Sequence, residues 1–178
     1  MIHLLPIMAK IAERTILLEI AKHVDLEDTQ FGSRRKRGVH DAMATIYEFL
    51  EANKGMRMAL LSMDIEGGFD KIDMNLMADF LVARGCPFIL VRWIRHWASQ
   101  RTVTFRFNGH VSRDFHLSRG IPQGSPLSPF LFGAYVADIF RPCLRHSPSI
   151  RSFMVSYVDD GVIAVAADTI PMVKGHLE

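Results

Sequence analysis

Apolar positions near helical spacing over residues 6–23, Ile7, Ile11 and Leu18 among them, predict a first helix. Asp25 to Gly38 is polar and basic and reads as a loop. Val39, Met43, Ile46, Tyr47 and Leu50 recur at threes and fours and form one stripe, so a second helix is expected from about 39 to 53. The period then changes. Residues 58–65, MALLSMDI, are a short, nearly continuous apolar run, as expected for a strand buried on both faces, and Gly67-Gly68 break it. Residues 73–84 return to helix and stop at Gly85. Pro87 opens another helix, with the stripe Leu90, Trp93, Ile94 and Trp97. Val103, Phe105 and Phe107 then alternate with polar residues ahead of Asn108-Gly109, a strong hairpin signal. A helix over about 126–141 follows, then a second hairpin, SFMVSYV-DDG-VIAVAA, with Asp-Gly at its tip, and the first turns of a last helix. Two hairpins and one buried strand among helices predict an α+β fold, a small antiparallel sheet covered by helices on one face.

Composition narrows this little: 178 residues, 49% hydrophobic and 22% charged, are ordinary globular usage for one domain or a piece of one. No apolar run is long enough to span a membrane, and the N-terminal run is too short and too soon charged for a signal peptide. Cys86 and Cys143 are isolated thiols, which disfavours a disulfide scaffold or zinc knuckle and suits a reducing compartment. The net charge is only +2, but it is unevenly placed. Arg34, Arg35, Lys36 and Arg37 are consecutive, and residues 92–119 hold six arginines against one acid, Asp114. Such clustering suits a polyanionic partner, and equally a solvated face.

Three acids sit where acids are expensive. Asp64 ends the apolar strand, and Asp159 and Asp160 are adjacent at a hairpin tip with apolar flanks. Each has a plain reading, a strand-ending cap for Asp64 and a turn for Asp-Asp-Gly. Taken together they say more. A strand and a hairpin of one sheet can bring their acidic ends together, and like charges so placed call for a cation. A few hard oxygen ligands with room for water and phosphate suit Mg²⁺ or Mn²⁺. A third segment, RGIPQGSPLSPFLF (119–132), has two glycines and three prolines and makes a fixed loop feeding a helix. Backbone can approach a ligand closely at Gly120 and Gly124, and Gln123 presents an amide that both donates and accepts.

MDIEGGFDKI (63–72), GIPQGSPLSPFLF (120–132) and YVDDG (157–161) resemble, in order and spacing, three successive palm motifs of reverse transcriptases. QFGSRRKRGVHDAM (30–43) is similar to the glycine-and-basic stretch that precedes the palm in non-long-terminal-repeat retrotransposon and group II intron enzymes, and the PQGSPLSP form favours that branch over retroviruses. The resemblance covers about residues 7–178. It implies a polymerase palm over 57–178, cut at its C-terminal end, with partial fingers and connecting helices over 1–56 and no thumb. It also implies RNA-directed DNA synthesis from a deoxynucleotide onto a primer 3′-hydroxyl. Two Mg²⁺ ions, with Mn²⁺ as substitute, would be held by Asp64, the Ile65 carbonyl, Asp159 and, less directly, Asp160. Phe69 would lie under the sugar of the incoming nucleotide, Gln123 and Gly124 against nucleotide and template, and Arg34 and Arg37 on the template backbone. The implied partners are RNA template, DNA primer, deoxynucleotide and the missing fingers and thumb of a longer polyprotein. The implied location is intracellular, the nucleus for a eukaryotic element. Two other readings stand beside this one: a catalytically silent nucleic-acid-binding remnant, and another two-metal palm-like enzyme such as a nucleotide cyclase, which the PQGSPLSP loop disfavours.

Overall fold

The structure, a computed structural model, describes residues 4–140 and 149–178. Its elements are α1 (Ile7–Ile20), α2 (Val39–Ala52), β1 (Arg57–Asp64), α3 (Gly68–Lys71), α4 (Met74–Ala83), α5 (Phe88–Ser99), β2 (Thr102–Val103), β3 (Arg106–Phe107), β4 (His110–Val111), β5 (Phe115–His116), α6 (Ser128–Phe140), β6 (Ile150–Tyr157), β7 (Asp160–Ala167) and α7 (Ile170–Leu177). They form two compact units, each assembled from two stretches: Met1–Asp25 with Gly67–Tyr135, and Leu26–Glu66 with Val136–Glu178. The mixture of helices with small antiparallel sheets is the expected α+β class. Among the described residues no helix is long and apolar enough to cross a membrane.

The second unit holds a three-stranded antiparallel sheet in the order β1-β7-β6. α2 packs on β6 through Ala42 and Ile46, which join Phe31 and Val155 in a buried cluster flanked by Leu50, Phe153 and Val162. α7 lies against β7 and β1. Beyond β6, the segment 29–31 adds a short parallel bridge: Phe31 N–H donates to the Ser156 carbonyl at 2.9 Å, and Ser156 N–H to the Thr29 carbonyl at 3.0 Å.

One expectation is overturned here. The apolar run at 58–65 is not a doubly buried strand. β1 is an edge strand, and its Met58, Leu60 and Leu61 are 39%, 50% and 38% exposed. The strand buried on both faces is β7, central in the sheet, with Ile163 to Ala167 all buried. Both runs are equally apolar; the order of pairing decides which is covered, and hydrophobic period carries no information on that order.

In the first unit α4 and α5 pack as neighbours. Asp73 caps α4, its carboxylate accepting from Asn75 N–H at 2.8 Å. Gly85 ends that helix region with φ +73°. The Asn108-Gly109 hairpin forms as expected: both residues have positive φ, β3 pairs with β4, and β2 pairs with β5 further down. The helical stripes are rotated from those read in the sequence. In α1, Ile7, Ile11 and Leu18 are exposed, while Glu13 and Ile20 are buried. In α2, Val39, Met43 and Tyr47 are exposed, and Ala42 and Ile46 face the core. Cys86 is buried, which raises the pKa of its thiol, and Cys143 lies outside the described residues.

Candidate active site

The three acids all belong to the second unit, and backbone pairing brings them together. β1 and β7 run antiparallel with Met63 opposite Gly161 and Asp64 opposite Asp160. Residues directly opposite in an antiparallel pair share a face of the sheet. Asp159 is tied in from the turn, its carbonyl accepting from the Ile65 N–H at 3.3 Å. Asp64 and Asp160 are exposed and Asp159 is half-buried, so all three are open to a ligand.

The hairpin tip differs from the Asp-Gly turn expected from the sequence. Tyr157 pairs with Asp160, so Val158-Asp159 make the turn, and Asp160-Gly161 already belong to β7. Val158 has φ +60°, a left-handed conformation that β-branched residues rarely adopt. The tip is backed by Gly32: a methyl group there would lie 2.5 Å from the Val158 nitrogen and 2.6 Å from its Cγ2, so only glycine fits. The short type of turn that Val158 accepts is dictated by the pairing on both sides of it, not by turn propensity.

The donor set of this cluster is three carboxylates and nearby carbonyls, all hard oxygens. Among the described residues no three Asp, Glu, His or Cys side chains are gathered closely enough to hold an ion by themselves. Mg²⁺ takes one or two carboxylates and completes its shell with water and substrate phosphate. The residues present fit such an ion.

The loop 119–127 belongs to the first unit and is held by backbone. Gly120 N–H donates to the Ile72 carbonyl at 3.0 Å, and Ile121 N–H to the Phe69 carbonyl at 2.7 Å. Gly120 has φ +73°, and a Cβ there would lie 2.6 Å from the Phe69 oxygen. Pro122 to Ser125 form a turn closed by Ser125 N–H on the Pro122 carbonyl at 3.2 Å, with Gly124 at φ +111°. Gln123 and Gly124 are thus its two central residues, Gln123 partly buried and Gly124 exposed. Phe69, on the one-turn helix α3, is partly buried and stacks on Phe132 with ring centroids 4.8 Å apart and planes 6° off parallel. The structure brings Phe69 and the 120–125 loop together, and separately Asp64, Asp159 and Asp160.

The basic residues divide by what they touch. Arg34 donates to the Glu27 carbonyl at 2.6 Å and the Gln30 carbonyl at 3.3 Å. Arg37 pairs with Asp28 at 2.9 Å and lies over the Phe31 ring. Both therefore tie the 27–37 loop together, while Arg35 and Lys36 between them are exposed. The first unit carries a second basic surface, a cleft of about 600 Å³ lined by Arg92, Arg95, His96 and Arg119, with Asp73 also on its wall. Arg95 is 3.2 Å from Asp79, and among the described residues Arg92 and Arg119 pair with no carboxylate. Arg101 is structural: it donates to the carbonyls of Ala98, Arg119 and Gly120, and burial lowers its pKa.

The reverse transcriptase (RNA-dependent DNA polymerase) family matches residues 1–178. The chain is 26% identical over 179 residues to the RNA-directed DNA polymerase from mobile element jockey of Drosophila melanogaster, covering 94% of this chain and 19% of that protein. It is 25% identical over 170 residues to the probable RNA-directed DNA polymerase from transposon X-element of the same organism, covering 89% and 18%. It is 26% identical over 146 residues to the Pol polyprotein from type-1 retrotransposable element R2 of Popillia japonica, covering 80% and 20%. The chain thus spans about a fifth of the length of these relatives. Among solved structures, telomerase from Candida albicans in complex with the TWJ fragment of telomeric RNA superposes with TM-score 0.65 at 11% identity, over 94% of this chain and 32% of that one. Apo telomerase from Candida tropicalis truncated from its C-terminal domain gives 0.63 at 11% identity, over 93% and 35%. These likenesses concern the fold. The chain belongs to the reverse transcriptase family, with non-long-terminal-repeat retrotransposon enzymes as its relatives.

Proposed function

We propose that the chain is the polymerase palm, with part of the fingers, of an RNA-directed DNA polymerase, and that Asp64, Asp159 and Asp160 hold its catalytic ions. The observation that carries this reading is the placement of Asp64 opposite Asp160, with Asp159 tied to Ile65 by a backbone hydrogen bond. Two negative charges directly opposite on one sheet face weaken the sheet, and a bound cation turns that into attraction. Asp64 and Asp159, with the Ile65 carbonyl, supply the oxygen ligands, and Asp160 reinforces the negative field beside them. Magnesium bound there would acidify a primer 3′-hydroxyl and stabilise the charge on departing pyrophosphate. The chain's own work is positioning, which dominates phosphoryl-type transfers. Phe69, rigidly stacked on Phe132, would bound the sugar of the deoxynucleotide, and Gln123 and Gly124 would lie against the base pair being formed. The exposed Arg35 and Lys36, and the Arg92–Arg119 cleft, offer phosphate contacts to template and primer without sequence readout. Arg34 and Arg37 act through the loop they hold. On this reading the site of action is intracellular, the nucleus in a eukaryotic host, and the remaining fingers and thumb come from a longer polyprotein.

A second reading is nucleic-acid binding without catalysis, for which the exposed Arg35 and Lys36 and the Arg92–Arg119 cleft suffice. One experiment separates them. Primed RNA, a deoxynucleotide and Mg²⁺ are mixed with the chain carried in a polymerase that supplies fingers and thumb, and with the Asp64→Asn form of the same protein. Extension by the former alone supports the polymerase. Equal binding by both with extension by neither supports the silent module.

A further inference from the structure

Glu13 is the one buried carboxylate in α1, 3% exposed on a helix whose large apolar residues Ile7, Ile11 and Leu18 face outward. An isolated buried acid is expensive, and a helix gains nothing from it locally. Among the described residues no lysine, arginine or histidine pairs with it. Its two oxygens are instead occupied by neutral donors far away in sequence. Trp97 Nε1–H of α5 donates to Oε1 at 2.9 Å, and the Ser125 hydroxyl donates to Oε2 at 2.6 Å. The second is a short O–H···O bond. Ser125 is itself buried, and its oxygen also accepts the Leu127 N–H at 3.1 Å, at the entry to α6.

Ser125 is the last residue of the turn that has Gln123 and Gly124 at its centre. At its leading end the loop is fixed by the bonds of Gly120 and Ile121 to the 69–72 backbone. At its trailing end the side-chain anchor is Glu13. We propose that Glu13 is a positioning residue: through Ser125 it sets the conformation of the Pro122–Ser125 turn, and with it the presentation of Gln123 and Gly124 to the nucleotide. The presentation to a nucleotide rests on the polymerase reading above; the anchoring itself does not. Trp97 closes the other side of the carboxylate, so the same acid couples α5 to the loop. A hydrophobic residue at position 13 would fill the space and leave the buried Ser125 hydroxyl and the partly buried Trp97 indole N–H without their acceptor.

The test uses the whole chain with Glu13→Leu, close in volume and without acceptors, and Glu13→Gln, which keeps one carbonyl acceptor and adds a donor. The amides of Ser125 and Leu127 are followed by hydrogen exchange, with α4 and the β6–β7 hairpin as internal references. Anchoring predicts exchange about tenfold faster or more at Ser125 and Leu127 in Glu13→Leu, with the reference amides little changed, and substantial recovery in Glu13→Gln. Unchanged exchange at those two amides, or acceleration spread evenly over the references, would overturn it. If Glu13→Leu fails to fold, Glu13→Ala, which also removes the acceptor, takes its place: local acceleration of about tenfold at Ser125 and Leu127 supports anchoring, and none refutes it. In primer extension by a polymerase carrying fingers and thumb, Glu13→Leu should raise KM for the deoxynucleotide about tenfold while kcat changes much less, with Glu13→Gln close to the unmodified protein. A fall in kcat alone would overturn the role at the nucleotide. Absence of extension by that polymerase with position 13 unmodified would fail the polymerase reading while leaving the exchange result to decide on the anchor.

Discussion

Asp64 and Asp160 face each other across the β1–β7 ladder, one at the end of the edge strand and the other at the start of the central one. Directly opposed like charges cost the sheet about 0.5 kcal/mol without a cation. Asp64→Asn should therefore melt slightly higher than the unmodified chain in chelator, and Mg²⁺ should raise the melting temperature of the unmodified chain but not of the variant. Asp64→Asn and Asp159→Asn should each abolish extension, and Asp160→Asn should impair it less. Full extension by either of the first two would end the metal assignment.

The tip of the second hairpin is held under tension. Val158 stays at φ +60° because Gly32 lets the loop backbone close on it. Gly32→Ala should destabilise the second unit by about 2 kcal/mol, since backbone and not a flexible side chain must give way. Val158→Asn, which tolerates that conformation better, should stabilise it by about 0.5–1 kcal/mol. Denaturant midpoints of both variants check this; a neutral Gly32→Ala would show that the tip relaxes freely.

The basic residues should separate by assay. Arg34→Ala or Arg37→Ala should lower stability by about 1 kcal/mol each, because carbonyls and Asp28 in the 27–37 loop lose their partner. Arg35→Ala with Lys36→Ala, or Arg92→Ala with Arg119→Ala, should leave the melting temperature alone. Each pair should weaken single-strand binding equally for unrelated sequences and reduce the slope of log affinity against log salt by about 1.4. An unaltered slope would make the surface concerned a solvated face only.

Phe69 combines two roles that one substitution can separate. Its ring stacks on buried Phe132, so Phe69→Val should cost about 2 kcal/mol in stability. If the ring also bounds the sugar, ribonucleotide use relative to deoxynucleotide should rise about tenfold, the consequence of removing a clash of about 1.4 kcal/mol. The preference is measured in a polymerase carrying fingers and thumb. A lower melting temperature with an unchanged preference would leave Phe69 a core residue.

What the sequence showed and hid follows from the range of the forces involved. The Asn108-Gly109 turn, the stop at Gly85 and the two long strands of the second hairpin depend on near neighbours, and they were legible. So was the pairing of strand and hairpin in one sheet, which sets Asp64 opposite Asp160. The edge position of β1 and the outward stripe of α1 depend on which element lies next to which, and periodicity is silent on that. Glu13 left no local signal, because its partners lie 84 and 112 residues away. The placement of Val158 in the turn was masked by Asp160-Gly161, a better turn pair that the strand register absorbs into β7.

The edge position of β1 has a practical side. One flank of this strand is paired with β7; among the described residues no strand pairs with the other, and Met58, Leu60 and Leu61 are exposed on the faces beside it. An open, apolar strand edge accepts the edge of another molecule, and proteins usually guard such edges with charge. Here the guards stand at the ends, Arg57 and Asp64, with nothing charged between them. The purified chain will therefore tend to aggregate with rising concentration. Leu60→Lys, which adds a gatekeeper charge within the run and leaves the carboxylates in place, is the substitution to make before any solution measurement at high protein concentration.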